Sequence, residues 1–127
     1  MLERHAHHPL EVKKMDTQQL RDEFLVNSLM QPGKVNFVYS HYDRMIIGGI
    51  VPSGEELALG NYEPLKAEYF LERRELGIIN VGGEGKVITE NETFSLNKLD
   101  CLYLGKGNNK VDFSSADKNN PAVFFLL

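Results

Sequence analysis

The chain has 127 residues, 42% of them hydrophobic, which is enough to bury one core and too little for two. Eighteen acidic against 14 basic residues leave a net charge near −4, with no run of like charges and no basic stripe, and this excludes duplex nucleic acid as a partner. The longest apolar runs, "MIIGGIVP" and "AVFFLL", are too short to cross a bilayer, and the N-terminus lacks the apolar centre of a signal peptide, so a soluble, cytoplasmic protein is expected.

Residues 1–15 read as an N-terminal extension. They hold His5, His7 and His8, a His-x-His-His cluster that can pick up a transition ion adventitiously. A working site needs ligands fixed by folded elements, which a tail does not provide. The segment "DTQQLRDEFLV", residues 16–26, reads as a short helix capped by Asp16, with Leu20, Phe24 and Leu25 on one face.

From residue 35 the pattern turns to period two and to short apolar runs ended by Gly, Pro, Asn or Asp. The runs are "VNFVYS", "RMIIGGIVP", "EELALG", "AEYFLE", "LGIINVG", "GKVITE", "TFSLN", "CLYLG", "KVDFSS" and "AVFFLL". About ten short strands at this spacing predict an all-β sandwich or closed barrel. "VITENETFSL" is the clearest hairpin, turning at Glu90, Asn91 and Glu92. His41, in "YSHYDR", stands among Tyr39, Tyr42, Asp43 and Arg44 and reads as a structural, hydrogen-bonded histidine, because no nucleophile accompanies it.

Taken as a strand, "LERREL" places Arg73 and Glu75 on one face and Glu72 and Arg74 on the other. That gives either a solvated face with an ion pair, or an acid or base beside a cation suited to a carboxylate. "GGEG" at 82–85 and "GKGNNK" at 105–110 lack the GK[ST] ending of a phosphate loop and read as turns. Cys101, the single cysteine, is flanked by apolar residues and reads as a buried, inert thiol. "AVFFLL" stops within an apolar strand without a closing turn. Either the fold buries it or something else covers it, and a chain that once continued is the expectation.

A family frame underlies "YFLERRELGIINVGGEG". In the cupin signature a His-x-His pair is followed after three or four residues by Glu and, six residues later, by Gly. Here Glu75, "LGIINV" and Gly82 keep the second half, while Tyr69 and Leu71 stand where the histidines belong. "GKGNNK" resembles the later Pro-x-Gly-x-x-His motif with Lys110 at the histidine place, so one of four expected ligands remains. The frame resembles a cupin that has lost its metal: an all-β double-stranded β-helix, or jelly-roll barrel, over residues 16–127, with a short N-terminal helix.

"DTQQLRDEFLV", "VYSHYDRMIIGGI", "YFLERRELGIINVGGEG" and "LYLGKG", in that order, resemble the N-terminal half of the 5-keto-4-deoxyuronate isomerases, also called 4-deoxy-L-threo-5-hexosulose-uronate ketol-isomerases. The resemblance implies bacterial enzymes of pectin-derived uronate breakdown, two-cupin chains about twice this length that assemble as homohexamers. Their zinc, held by three histidines and a glutamate, lies in the C-terminal cupin. It implies that this chain is the half without zinc, inactive alone, with no cofactor of its own. Arg73 or Arg74 would hold the uronate carboxylate, and no residue is assigned as the catalytic base. A Glu75 left inside a barrel without its metal needs a cation from Arg73 or Lys110, and Arg73 is preferred because Lys110, alternating with Val111 and Phe113, faces outward. Two other readings are a stand-alone, non-catalytic cupin serving as a sugar-binding, assembly or regulatory module, and a metal enzyme built on the N-terminal histidines.

Overall fold

Alternation of inward and outward side chains is clearest in Leu76, Ile78 and Asn80, which are buried while Gly77 and Ile79 between them are partly covered. The computed structural model describes residues 1–127. In chain order its elements are β1 (Leu2–Arg4), α1 (Pro9–Val12), α2 (Thr17–Phe24), β2 (Val35–Ser40), β3 (Met45–Ile50), β4 (Leu57–Ala58) and a 3-10 turn (Glu63–Leu65). There follow β5 (Leu76–Asn80), β6 (Gly85–Thr89), β7 (Thr93–Leu96), β8 (Cys101–Leu104), β9 (Val111–Ser115) and β10 (Phe124–Leu126).

The strands form a six-stranded sheet, β1-β2-β3-β10-β5-β8, and a four-stranded sheet, β4-β9-β6-β7. All pairings are antiparallel except β1 with β2. Phe124, Ile50, Leu76 and Ile78 from the larger sheet and Phe113, Val87 and Val111 from the smaller one share one apolar core, joined by Leu65, Phe70 and Leu71 from the connection between β4 and β5. Phe113 and Phe124, one from each sheet, meet at 5.2 Å between ring centroids.

The predicted helix forms as α2. Asp16 accepts from Gln19 N at 2.8 Å, and the Gln19 side chain returns the bond to Asp16 N at 2.9 Å, a reciprocal cap. Residues 86–96 form the predicted hairpin, β6 pairing with β7 around Glu90, Asn91 and Glu92.

Four expectations change. "AEYFLE" and "LERRE" form no strand but a folded loop. Lys66 takes a left-handed backbone (φ 47°), Glu68 N donates to the Glu72 carboxylate at 2.7 Å, and Arg73 Nη2 donates to Lys66 O at 2.8 Å, closing the chain on itself. The two-face reading of "LERREL" therefore falls. Cys101 is exposed: in β8 the even residues Leu102 and Leu104 turn toward the core while Cys101 and Tyr103 turn out. "AVFFLL" is not an open end, because β10 lies between β3 and β5 and Phe124 and Leu126 are fully buried. The strand thus says nothing about a continuing chain. Finally, the N-terminal extension is built onto the barrel, with Leu2, Glu3 and Arg4 paired to Val38, Tyr39 and Ser40.

Asn80, fully buried at the end of β5, satisfies its whole side chain. Nδ2 donates to Gly83 O at 2.7 Å and Leu96 O at 2.9 Å, and Oδ1 accepts from Gly82 N at 3.1 Å and Val123 N at 3.2 Å. One amide thus ties the "GGEG" turn, the end of β7 and the approach to β10. The glycines of that turn are there for space. A Cβ on Gly83 would lie 2.1 Å from Asn120 O, and one on Gly85 would lie 2.4 Å from the Ala122 Cβ. The turn is a packing device, in keeping with its reading as no phosphate loop. Asn80→Asp keeps the shape but removes both donors and strands a carboxylate in the core. It should cost about 3 kcal/mol, near a 10 °C fall in Tm for a domain of this size. Melting followed by circular dichroism checks this, and an unchanged Tm would show that the amide is not what joins the three segments.

Candidate functional site

The folded loop between β4 and β5 caps one end of the barrel. Its Tyr62 and Phe70 pack on Phe37 of β2, with centroids at 5.5 Å and 5.0 Å. Phe37 can lie across the sheet because Gly48 faces it in β3, where a Cβ would come 2.2 Å from its ring. Burial raises the Tyr62 phenol above its ordinary pKa.

Beside this cluster opens a cavity of about 270 Å³. Its floor is apolar, made by Phe37, Phe70, Leu76 and Leu126, and its rim is charged, with Asp43 and Arg44 from the β2–β3 turn facing Arg74 and Glu75 from the entry to β5. An apolar pocket with a few polar groups at its edge is the usual form of a small-molecule site. Arg44 takes a left-handed backbone (φ 53°) as the last residue of the four-residue turn between Ser40 and Met45, a position that favours glycine or asparagine.

Arg74 is the better placed of the two predicted carboxylate binders. Its Nη1 donates to Phe70 O at 2.9 Å and its guanidinium lies 5.7 Å from the Phe70 ring centroid, which fixes its direction and leaves the remaining N–H groups free. Arg73 is absent from the cavity wall. It is largely exposed and is engaged with Lys66 O and, at 3.4 Å, with Glu72. The backbone N–H of Glu68 first, then Arg73 and Arg74, hold the Glu72 carboxyl below the usual carboxylate range.

Zinc does not fit the cupin metal positions of this barrel. Leu71 is fully buried in the apolar core, Tyr69 is only half-buried, and Glu75 is exposed. Lys110 points outward and pairs with Asp112 at 3.0 Å. The expected compensation of Glu75 by Arg73 or Lys110 is therefore corrected. Glu75 was never enclosed, so it needs no buried cation.

The histidine cluster read in the tail is not brought together. His7 bonds Glu23 of α2 at 3.0 Å, His8 caps α1 by accepting from Leu10 N at 3.2 Å, and His5 stacks on His41 with centroids 4.4 Å apart. His41 is hydrogen-bonded, as expected, with Nε2 2.9 Å from Glu3 Oε2. That pairing joins residues 38 positions apart, and sequence reading missed it because nothing local marks the parallel β1–β2 register.

Two facing sheets with a capped, apolar interior make the chain a cupin domain. Among solved structures it is similar to the cupin domain of Schizosaccharomyces pombe Cnp3, with a TM-score of 0.52 and 13% identity over 73% of this chain and 58% of that one. It is also similar to a Rhizobium leguminosarum protein of unknown function, with a TM-score of 0.51 and 17% identity over 76% of this chain and 81% of that one. At such identity only the fold is shared. No family model matches the chain.

Curated relatives place it more narrowly: the chain is homologous, along its whole length, to the N-terminal half of the 4-deoxy-L-threo-5-hexosulose-uronate ketol-isomerases. It is 51% identical over 127 residues to that of Halalkalibacterium halodurans, covering 100% of this chain and 46% of the relative. With that of Formosa agariphila it shares 53% over 123 residues, 97% of this chain and 44% of the relative. The chain spans about half the length of the curated relatives it matches.

Hydrogen bonding to Glu75 raises the Tyr103 phenol, with desolvation and the carboxylate charge adding to it. The sign follows: the neutral phenol is the favoured form, so the contact is fully present below the ordinary tyrosine pKa of about 10 and is lost as pH rises through the raised pKa of the folded form. In an ultraviolet titration of Glu75→Gln, one tyrosine should ionise at lower pH than in the parent chain. Superimposable curves would show that the two side chains do not interact.

Proposed function

We propose that this chain is the zinc-free cupin half of an isomerase that interconverts 5-keto-4-deoxyuronate and its ketol isomer in the breakdown of pectin-derived uronates in the cytoplasm. Within that enzyme it would serve as scaffold and assembly surface for a homo-oligomer, a hexamer on the family pattern, and would lend its cavity rim to the uronate. What carries the reading is identity near 50% along this whole chain to about half the length of isomerases of that name.

The reaction moves a proton between adjacent carbons, which needs a base, an electrophile for the enediolate oxygen and a cation for the substrate carboxylate. The barrel residues Tyr69, Leu71 and Lys110 are no ligand set for an electrophilic metal, so that part of the chemistry belongs to the other half of the enzyme. Arg74, aimed by Phe70 and with N–H groups to spare, offers the fork that matches a carboxylate. Arg44, across the rim, adds a second positive charge.

The test is twofold. The purified chain, supplied with zinc and 5-keto-4-deoxyuronate, should give no isomerisation, and turnover by the chain alone would overturn the division of labour. Amide shifts on adding the uronate should cluster at residues 43–46 and 74–76, and Arg74→Ala should weaken binding about tenfold, the worth of one charge-assisted hydrogen bond. Shifts elsewhere, or an unaffected Arg74→Ala, would remove the cavity from the substrate site.

A further inference from the structure

At the β1 edge of the larger sheet, three side chains converge that line neither the core nor the cavity. β1 runs parallel to β2 with Glu3 beside Tyr39 and Arg4 beside Ser40, and His41 N donates to Arg4 O at 2.9 Å, extending the ladder one residue further. Alternation then puts Glu3 and His5 on one face of β1, with His41 next to both, while Arg4 between them turns the other way. The register of one short strand thus assembles two imidazoles and a carboxylate from segments that are 38 positions apart at Glu3 and His41.

The donor atoms of Glu3, His5 and His41 all lie within 4.8 Å of one another. His41 Nε2 and Glu3 Oε2 are already in contact at 2.9 Å, and the His5 and His41 rings are nearly parallel, 11° apart. Tyr39 backs the His41 ring at 4.6 Å and restricts its rotation. Ligands of one zinc ion stand roughly 3.3–4 Å apart, given bonds of about 2.0–2.1 Å. Because each imidazole lone pair lies in its ring plane, two stacked rings cannot both aim at one ion, so His5, exposed and without a hydrogen bond, must swing out of the stack to bring its nitrogen to an ion held by Glu3 and His41. No Lys or Arg forms an ion pair with Glu3, whose ionic partner is His41 alone.

We propose that Glu3, His5 and His41 form a binding site for a divalent first-row transition-metal ion, with zinc as the probe. Two neutral imidazoles and one carboxylate are the donors such ions take, and a surface location leaves a coordination position for water. The ion replaces the Glu3–His41 hydrogen bond with two stronger links and fastens β1, an edge strand of three residues, to β2. The site is independent of the isomerase reading, because it lies outside the barrel and needs no second domain.

Calorimetric titration of zinc chloride into the untagged, chelator-stripped chain tests it. One ion per chain should bind with micromolar affinity, and saturation should raise the melting temperature. His5→Ala, Glu3→Gln and His41→Ala should each weaken binding at least tenfold. His5→Ala is the informative variant should the others loosen β1, since His5 makes no hydrogen bond that holds the strand. The paired change His7→Ala and His8→Ala should leave the affinity as it is. Absence of binding, an unaltered affinity in His5→Ala, or loss of binding in the His7/His8 variant would each overturn the site, the last by assigning the ion to adventitious chelation along the N-terminus.

Discussion

Everything at the working end of this domain follows from Leu71 being a fully buried core residue. The chain position where a cupin would present a metal-binding imidazole instead joins Phe70, Leu76 and Phe124 in one apolar cluster. A divalent ion placed there would lose its hydration and gain no donors, a cost far beyond the few kcal/mol that hold a domain together. The interior is thereby reserved for packing, and polar chemistry is pushed to the rim, where Arg44, Asp43, Arg74 and Glu75 ring the cavity.

Two devices keep that interior closed. The loop from Tyr62 to Arg74 lies over one end as an aromatic cover, seated on Phe37 through the space left by Gly48. Asn80 knots three segments with four hydrogen bonds from a single buried amide. The first positions Arg74 and the second positions β10, whose Leu126 forms part of the cavity floor. Packing and site geometry are in this sense one problem. A change that loosens the core would be expected to move the rim charges as well.

Much of this was legible in the residues. Period-two alternation and short apolar runs marked nine of the ten strands, and Asp16 marked the helix start. The cupin spacing from Glu75 to Gly82 identified the frame even with its ligands replaced. "AEYFLE" misled because its alternation suits a strand, while the features that fold it, a left-handed Lys66 and the bonds Glu68–Glu72 and Arg73–Lys66, have no periodic signature. Cys101 misled for the opposite reason: its neighbours are apolar, but the alternation of Leu102 and Leu104 already turned it outward. The place of β10 and the meeting of Glu3 and His5 with His41 depend on pairings between distant segments, which local pattern does not encode.

The most direct measurement is an anomalous difference map at the zinc absorption edge from crystals of the chain soaked in zinc. The account predicts no peak inside the barrel near Tyr69, Leu71 and Glu75. An ordered ion there, with Glu75 turned inward to meet it, would contradict the claim that packing has taken the place of the metal.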